Sequence, residues 1–113
     1  MCAEDIKALT DKELRIKVAE LLGWKNIRVD WDYFDYQDDT GLVATNEIGY
    51  TLPLPDYPQD LNACADMEKS LIHTPDESTW SEYREHLVGM LGKEWGFATA
   101  RQRCEAFILT MEA

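Results

Sequence analysis

The clearest hydrophobic periodicity lies near the start of the chain and predicts a helix over residues 11–22. Its apolar positions recur at helical spacing and form one face, made of Leu14, Val18, Leu21 and Leu22. A capping box at 10–13 marks the start of this helix, and Gly23 provides a left-handed stop after its last turn. We expect Arg15 on the opposite, solvated face, as the i,i+4 partner of Asp11.

After Asn26 the hydrophobic period changes to two residues. Apolar side chains at 27, 29, 31 and 33 alternate with polar ones, which predicts a strand with one buried face. A returning strand over 42–47 and a short third strand over 50–52 follow. The prolines at 53–58 indicate an extended connector, because proline cannot donate a ladder hydrogen bond.

The second half of the chain predicts three more helices. One spans 61–72 with Asp60 as its N-cap. Capping boxes at 79–82 and 99–102 open the other two, and Gly92 ends the first of these. A short edge strand is predicted over 93–97.

This order of elements predicts an α+β fold in which about four helices cover a small antiparallel sheet. The 113 residues and 13.0 kDa suit a single domain spanning 1–113, and neither a repeat nor a linker divides it. The first ten residues lack a signal-peptide core, and no apolar run reaches membrane-spanning length. Three cysteines without paired spacing indicate reduced thiols, so we expect a cytoplasmic protein without a cofactor or metal site.

The negative charge of the chain is concentrated in one region. The chain carries 22 acidic and 11 basic residues, a net charge of −11, which argues against direct binding to nucleic acid or to an anionic membrane. Residues 29–68 contain ten of the acids and no Lys or Arg. The excess negative charge is therefore a property of the strand region and the helix that follows it.

The most acidic stretch is DWDYFDYQDD, residues 30–39. The spacing of its side chains matches the first ligand positions of a calcium-binding loop, but Thr40 and Asn46 occupy the later positions that require Gly and Glu. A solvated acidic hairpin is the plain interpretation. The alternative is a protein-binding surface that mimics phosphate spacing, since the aromatic residues supply contact side chains. Its candidate residues are Asp30, Trp31, Asp32, Tyr33, Asp35, Tyr36, Asp38 and Asp39.

A second candidate site centres on Glu68, which falls in the middle of the apolar face of the helix over 61–72. We assign to that face Leu61, Cys64, Ala65, Leu71 and Ile72. A carboxylate there requires a partner, such as Arg103, or it serves as an acid or base. Arg101 and Arg103, near a helix N-terminus, are candidates for holding an anionic ligand or for pairing with carboxylates.

Two apolar side chains point away from their helix's main face. These are Ile16 in the first helix and Leu109 in the last. Together they indicate a second packed layer or a homo-oligomer interface.

Three segments resemble the phage ABA sandwich domain family of small phage proteins. They are LTDKELRIKVAELLGW near the start, LPLPDYPQDLNACADMEKSL in the middle and ATARQRCEAFILTME at the end. The resemblance implies an α-β-α sandwich encoded by a phage or prophage and acting in the bacterial cytoplasm, and it supplies no activity and no catalytic residues. It further implies that Asp56, Tyr57, Arg101 and Arg103 belong to a shared surface or to structural joints.

Three functional hypotheses follow. The first is a phage accessory protein that binds a host component without catalysis and counters host defence. The second is a sponge for an anionic signalling nucleotide, held by ligand-binding candidates Asp56, Tyr57, Glu68, Arg101 and Arg103. The third is a small enzyme with Glu68 as its acid or base. No nucleophile, phosphate-loop or metalloprotease motif is present in the sequence.

Overall fold

The computed structural model describes residues 3–31, 41–72 and 77–112. Within them the chain forms five α-helices, one 3₁₀ helix and three strands. In chain order they are α1 (Ala3–Lys7), α2 (Asp11–Leu21), β1 (Lys25–Val29), β2 (Leu42–Thr45), β3 (Thr51–Pro53), α3 (Leu61–Ile72), α4 (Glu77–Leu91), the 3₁₀ helix (Gly92–Phe97) and α5 (Ala100–Met111). The α+β class with a small antiparallel sheet is confirmed.

Local capping determines where three of the helices begin. The Thr10 hydroxyl accepts from the Glu13 N–H at 3.1 Å, and the Glu13 carboxylate accepts from the Thr10 N–H at 3.0 Å. The same reciprocal box joins Thr99 to Gln102 at the start of α5. Asp60 accepts from the Asn62 N–H at 2.9 Å and caps α3. All three predicted starts are confirmed.

Two predictions of secondary structure in the second half are wrong. Helix α4 begins at Glu77, so Thr79 lies in its first turns and is not the N-cap. Residues 93–97 form a 3₁₀ helix instead of an edge strand. Gly92, at φ +61°, ends α4 and turns the chain sharply, and the half-buried Trp95 then packs against the core.

The sheet has the order β1-β2-β3, so β2 is central and the other two strands form its edges. Strand β1 ends at Val29, before the predicted alternation is complete, and Val29 is 46% exposed. On the predicted apolar face Ile27 is half-buried against the core, whereas Val29 and Trp31 are exposed. Pro53 ends β3 on the other edge, where a missing N–H is tolerated.

The core is built around α5, against which the other four α-helices pack. Cys104, Phe107 and Ile108 on α5 are fully buried. Leu42 and Ala44 of β2 join the same core from the sheet. Within the residues that the structure describes, no helix is long and apolar enough to cross a membrane.

Several side chains lie elsewhere than the periodicity predicts. Arg15 is 3% exposed, and its guanidinium donates to the carbonyls of Leu54 and Pro55 instead of pairing with Asp11 in solvent. Ile16 and Leu109 are half-buried against the core and do not project from it. The oligomeric state accordingly stays a prediction.

Helix α3 buries a different face from the predicted one. Its buried residues are Ala63, Cys64, Met67 and Leu71, whereas Leu61 and Ile72 are 57% and 58% exposed. The helix is rotated so that Met67 fills the core. This rotation leaves Glu68 at the border of the buried face, within reach of α4 and α5.

Candidate functional site

Two of the eight protein-binding candidates lie in the described part of the chain. The Asp30 N–H donates to the Gly41 carbonyl at 2.9 Å, and Trp31 is 57% exposed. A Cβ atom at Gly41 would lie 2.8 Å from indole Cδ2 of Trp31, so only glycine lets the indole approach this closely. Asp32, Tyr33, Asp35, Tyr36, Asp38 and Asp39 lie outside the described residues.

Large apolar side chains are exposed along the margin of the sheet. We name this set the sheet rim, comprising Val29, Trp31, Ile48, Tyr50 and Leu52. Ile48 and Tyr50 are 78% and 65% exposed, at the turn between β2 and β3. Val29 and Trp31 lie at the Gly41 end of the sheet, whereas Ile48 and Tyr50 lie at the opposite end, beyond the Thr45–Thr51 pair. The exposed Trp31 and Tyr50 are of residue types that are enriched in protein interfaces.

Glu68 lies in a charged cluster between three helices. Both of its carboxylate oxygens are 3.1 Å from Nη1 of Arg103, and the Tyr83 hydroxyl donates to it at 2.9 Å. Arg103 also donates to the carbonyls of Ala98 and Gly96, each at 3.1 Å. Burial, reinforced by the Glu68 carboxylate, raises the pKa of Tyr83. Of the two interpretations of Glu68, the ion pair with Arg103 is therefore the one that the structure contains.

Arg101 lies on α5 but contacts other elements than Arg103 does. Its guanidinium binds the Asp11 carboxylate at 2.5 Å and the carbonyls of Leu9 and Lys7 at 2.6 and 3.1 Å. Nε of Arg101 is 3.9 Å from the buried Glu105 carboxylate. The two arginines thus hold separate joints, one to α1 and α2 and the other to α3 and the 3₁₀ helix.

Asp56 and Tyr57 lie in the turn before α3. The Asp56 carbonyl accepts from the N–H groups of Gln59 and Asp60 at 3.1 and 2.9 Å. Tyr57 is 3% exposed, and its hydroxyl accepts from the Trp24 indole N–H at 3.1 Å. Burial raises the pKa of Tyr57. The five ligand-binding candidates are therefore distributed over several joints, and only Glu68 and Arg103 are brought together.

The structure adds a groove that the sequence did not indicate. It has a volume of about 400 Å³ and lies between the end of α2 and the β2–β3 turn. Its lining residues are Leu22, Gly23, Trp24, Asn46, Glu47 and Ile48. The turn signal of Asn46 and Gly49 marks the hairpin in the sequence, but nothing local shows that the turn docks against α2.

Comparison with protein-family models, with curated proteins and with solved structures gives no match for this chain. In the described ranges, no three His, Cys, Asp or Glu side chains converge as a metal site.

Proposed function

We propose that this is a phage-encoded accessory protein that binds a basic surface of a host protein in the bacterial cytoplasm and thereby counters host defence. The phage origin rests on the three sequence segments that resemble the phage ABA sandwich family. The mode of action rests on the exposed aromatic residues of the sheet rim and on the ten acids within residues 29–68 of the sequence.

The observation that carries the proposal is the exposed indole of Trp31 beside Asp30, at the start of the most acidic part of the chain. Tryptophan and tyrosine dominate the binding energy of many protein interfaces. Residues 29–68 contain no Lys or Arg to neutralise their ten acids. An aromatic surface in that field attracts basic partners and repels acidic ones.

The nucleotide-sponge and enzyme hypotheses receive less support. Arg101 and Arg103 each bind a carboxylate and backbone carbonyls of this chain, so binding a phosphate there requires breaking those joints. Glu68 is bound by Arg103 and Tyr83. We expect no rise in melting temperature with cyclic nucleotides, and a clear rise would favour the sponge.

The test is affinity capture of host proteins from a bacterial lysate, quantified by mass spectrometry. The immobilised wild-type protein is compared with Asp32→Lys/Asp35→Lys/Asp38→Lys. Reversing three charges should reduce specific capture by about tenfold or more, because complementary charge governs both encounter rate and partner choice.

The matched control reverses three exposed acids outside this region, Glu82→Lys/Glu85→Lys/Glu94→Lys. It changes the net charge equally and should retain the captured proteins. Circular dichroism verifies that each variant is folded, and the Asp→Asn triple variant repeats the test with a milder change. Equal capture by both charge-reversed proteins would contradict the proposed role of the acidic region.

A further inference from the structure

We infer that the groove between the end of α2 and the β2–β3 turn binds an arginine side chain of the partner protein. This inference rests on the proposed function and deepens it, since it names the chemical group that one part of the surface recognises. It follows from the apolar walls of the groove, from a carboxylate that forms no ion pair with any described residue and from the polarity of a helix end.

The walls of the groove are suited to the methylene groups and the planar guanidinium of an arginine side chain. Leu22, Trp24 and Ile48 line its volume of about 400 Å³. The Trp24 indole is fixed by its hydrogen bond to Tyr57 and by packing against the core. A guanidinium stacks on an indole face while its methylene groups cover apolar surface, and both contacts favour arginine.

The acidic group of the groove is Glu47. Gly23 has φ +96°, and a Cβ there would lie 2.8 Å from Oε1 of Glu47, so the carboxylate rests against the end of α2. A helix carries partial negative charge at its C-terminus, which adds to the carboxylate charge at this point. Among the residues that the structure describes, Glu47 makes no ion pair. Glu47 is exposed at the edge of the groove, so a cation of a partner protein can reach its carboxylate.

The turn that presents Glu47 and Ile48 is held in shape before any ligand binds. Asn46 Oδ1 accepts from the N–H groups of Ile48 and Tyr50 at 3.1 and 2.9 Å. The Asn46 N–H donates to the Tyr50 carbonyl at 2.9 Å, and Gly49 adopts φ +94°. A preformed turn reduces the ordering cost of binding.

One cation of the chain itself lies near the groove. Lys25 begins β1, opposite Thr45 on β2, and is exposed. The described structure contains no salt bridge between Lys25 and Glu47. A guanidinium offers a planar, bidentate match to the carboxylate that an ammonium cannot reproduce, so arginine is the occupant to which the geometry points.

The experiment is an NMR titration of the full chain with Nα-acetyl-arginine amide. The reporters are the indole N–H of Trp24 and the backbone amides of Gly23 and Ile48. Nα-acetyl-citrulline amide is the neutral isosteric comparison and should bind at least about fivefold more weakly, because it cannot form the charge-assisted pair. Glu47→Gln should weaken arginine binding by a similar factor, about fivefold.

The control variant is Glu94→Gln, which removes an exposed carboxylate on the 3₁₀ helix and should leave arginine binding unchanged. No arginine binding, equal binding of both ligands, or unchanged affinity in Glu47→Gln would overturn the inference. If arginine binds the groove but no host protein is captured, the proposed function fails alone. If capture depends on the acidic residues but arginine does not bind, the groove inference fails alone.

Discussion

At the scale of single residues, three arginines of this strongly acidic protein connect separate parts of the fold. Arg15 holds the chain before α3, Arg101 ties α1 and α2 to α5, and Arg103 ties α3 to α5. Each guanidinium donates to backbone carbonyls, and those of Arg101 and Arg103 also bind the carboxylates of Asp11 and Glu68. Their role is therefore to satisfy buried polar groups where helices meet.

The Glu68–Arg103 pair gives a stability prediction. Its side chains are 16% and 19% exposed, so Arg103→Met leaves a poorly solvated carboxylate and should lower the free energy of unfolding by about 3 kcal/mol. Glu68→Gln keeps a hydrogen-bond acceptor and should cost about 1 kcal/mol. Urea denaturation measures both, with Arg84→Met on the exposed side of α4 as the control. Equal losses for the two cluster variants would contradict this description.

Tyr83 gives a pH prediction. Burial and the neighbouring Glu68 raise its pKa, so the folded protein holds the phenol neutral where an unfolded chain ionises it. The stabilisation is complete below the unfolded pKa of about 10 and is lost as pH rises above it. The free energy of unfolding should therefore decline from about pH 10 upward. Tyr83→Phe should make that decline shallower and leave the part that comes from the buried Tyr57, whose pKa is raised as well, whereas Tyr50→Phe, at an exposed position, should have little effect.

At the scale of elements, the sequence predicts best where the signal is local. The starts of α2, α3 and α5 follow from caps made by residues within three positions of each other. The 3₁₀ helix packs against α4, and Trp95 within it contacts the core, so its conformation depends on tertiary contacts that the local pattern at 93–97 does not show. The capping-box pattern at Thr79 likewise does not mark the start of α4, which lies at Glu77. Helix α1 was not predicted, because five residues carry too little periodicity.

The same limit applies to the candidate site. The pairing of Glu68 with Arg103 could be predicted because a carboxylate on an apolar face requires a cation. The groove could not be predicted, since it forms only when the β2–β3 turn reaches the end of α2. Helical spacing predicts that Arg15 is exposed to solvent, because it identifies the polar face of α2 but not the segment before α3 that covers this face.

A pair of threonines tests the assignment of helix starts. Thr99 caps α5, the helix on which the other helices pack, so Thr99→Ala should cost about 1 kcal/mol of unfolding free energy. Thr79 has the same sequence pattern but lies inside α4, where alanine is the better helix former. Thr79→Ala should be neutral or slightly stabilising by thermal or urea denaturation. A loss as large as that of Thr99→Ala would restore Thr79 as an N-cap.

At the scale of the whole molecule, the excess negative charge is confined to one part of the chain. Residues 29–68 carry nearly all the excess negative charge, whereas the segments on either side are close to neutral. The two candidate contact surfaces, the sheet rim and the groove with Glu47, are both formed largely by the strands and the segments next to them.

The most direct test of this account is the dissociation constant of the purified host partner identified by capture. It is measured for the wild-type protein, for Asp32→Lys/Asp35→Lys/Asp38→Lys and for the Glu82→Lys/Glu85→Lys/Glu94→Lys control. We predict a weakening of about tenfold or more for the first variant and less than about twofold for the control. Equal dissociation constants for the two variants would contradict the claim that this protein acts through its acidic, aromatic surface.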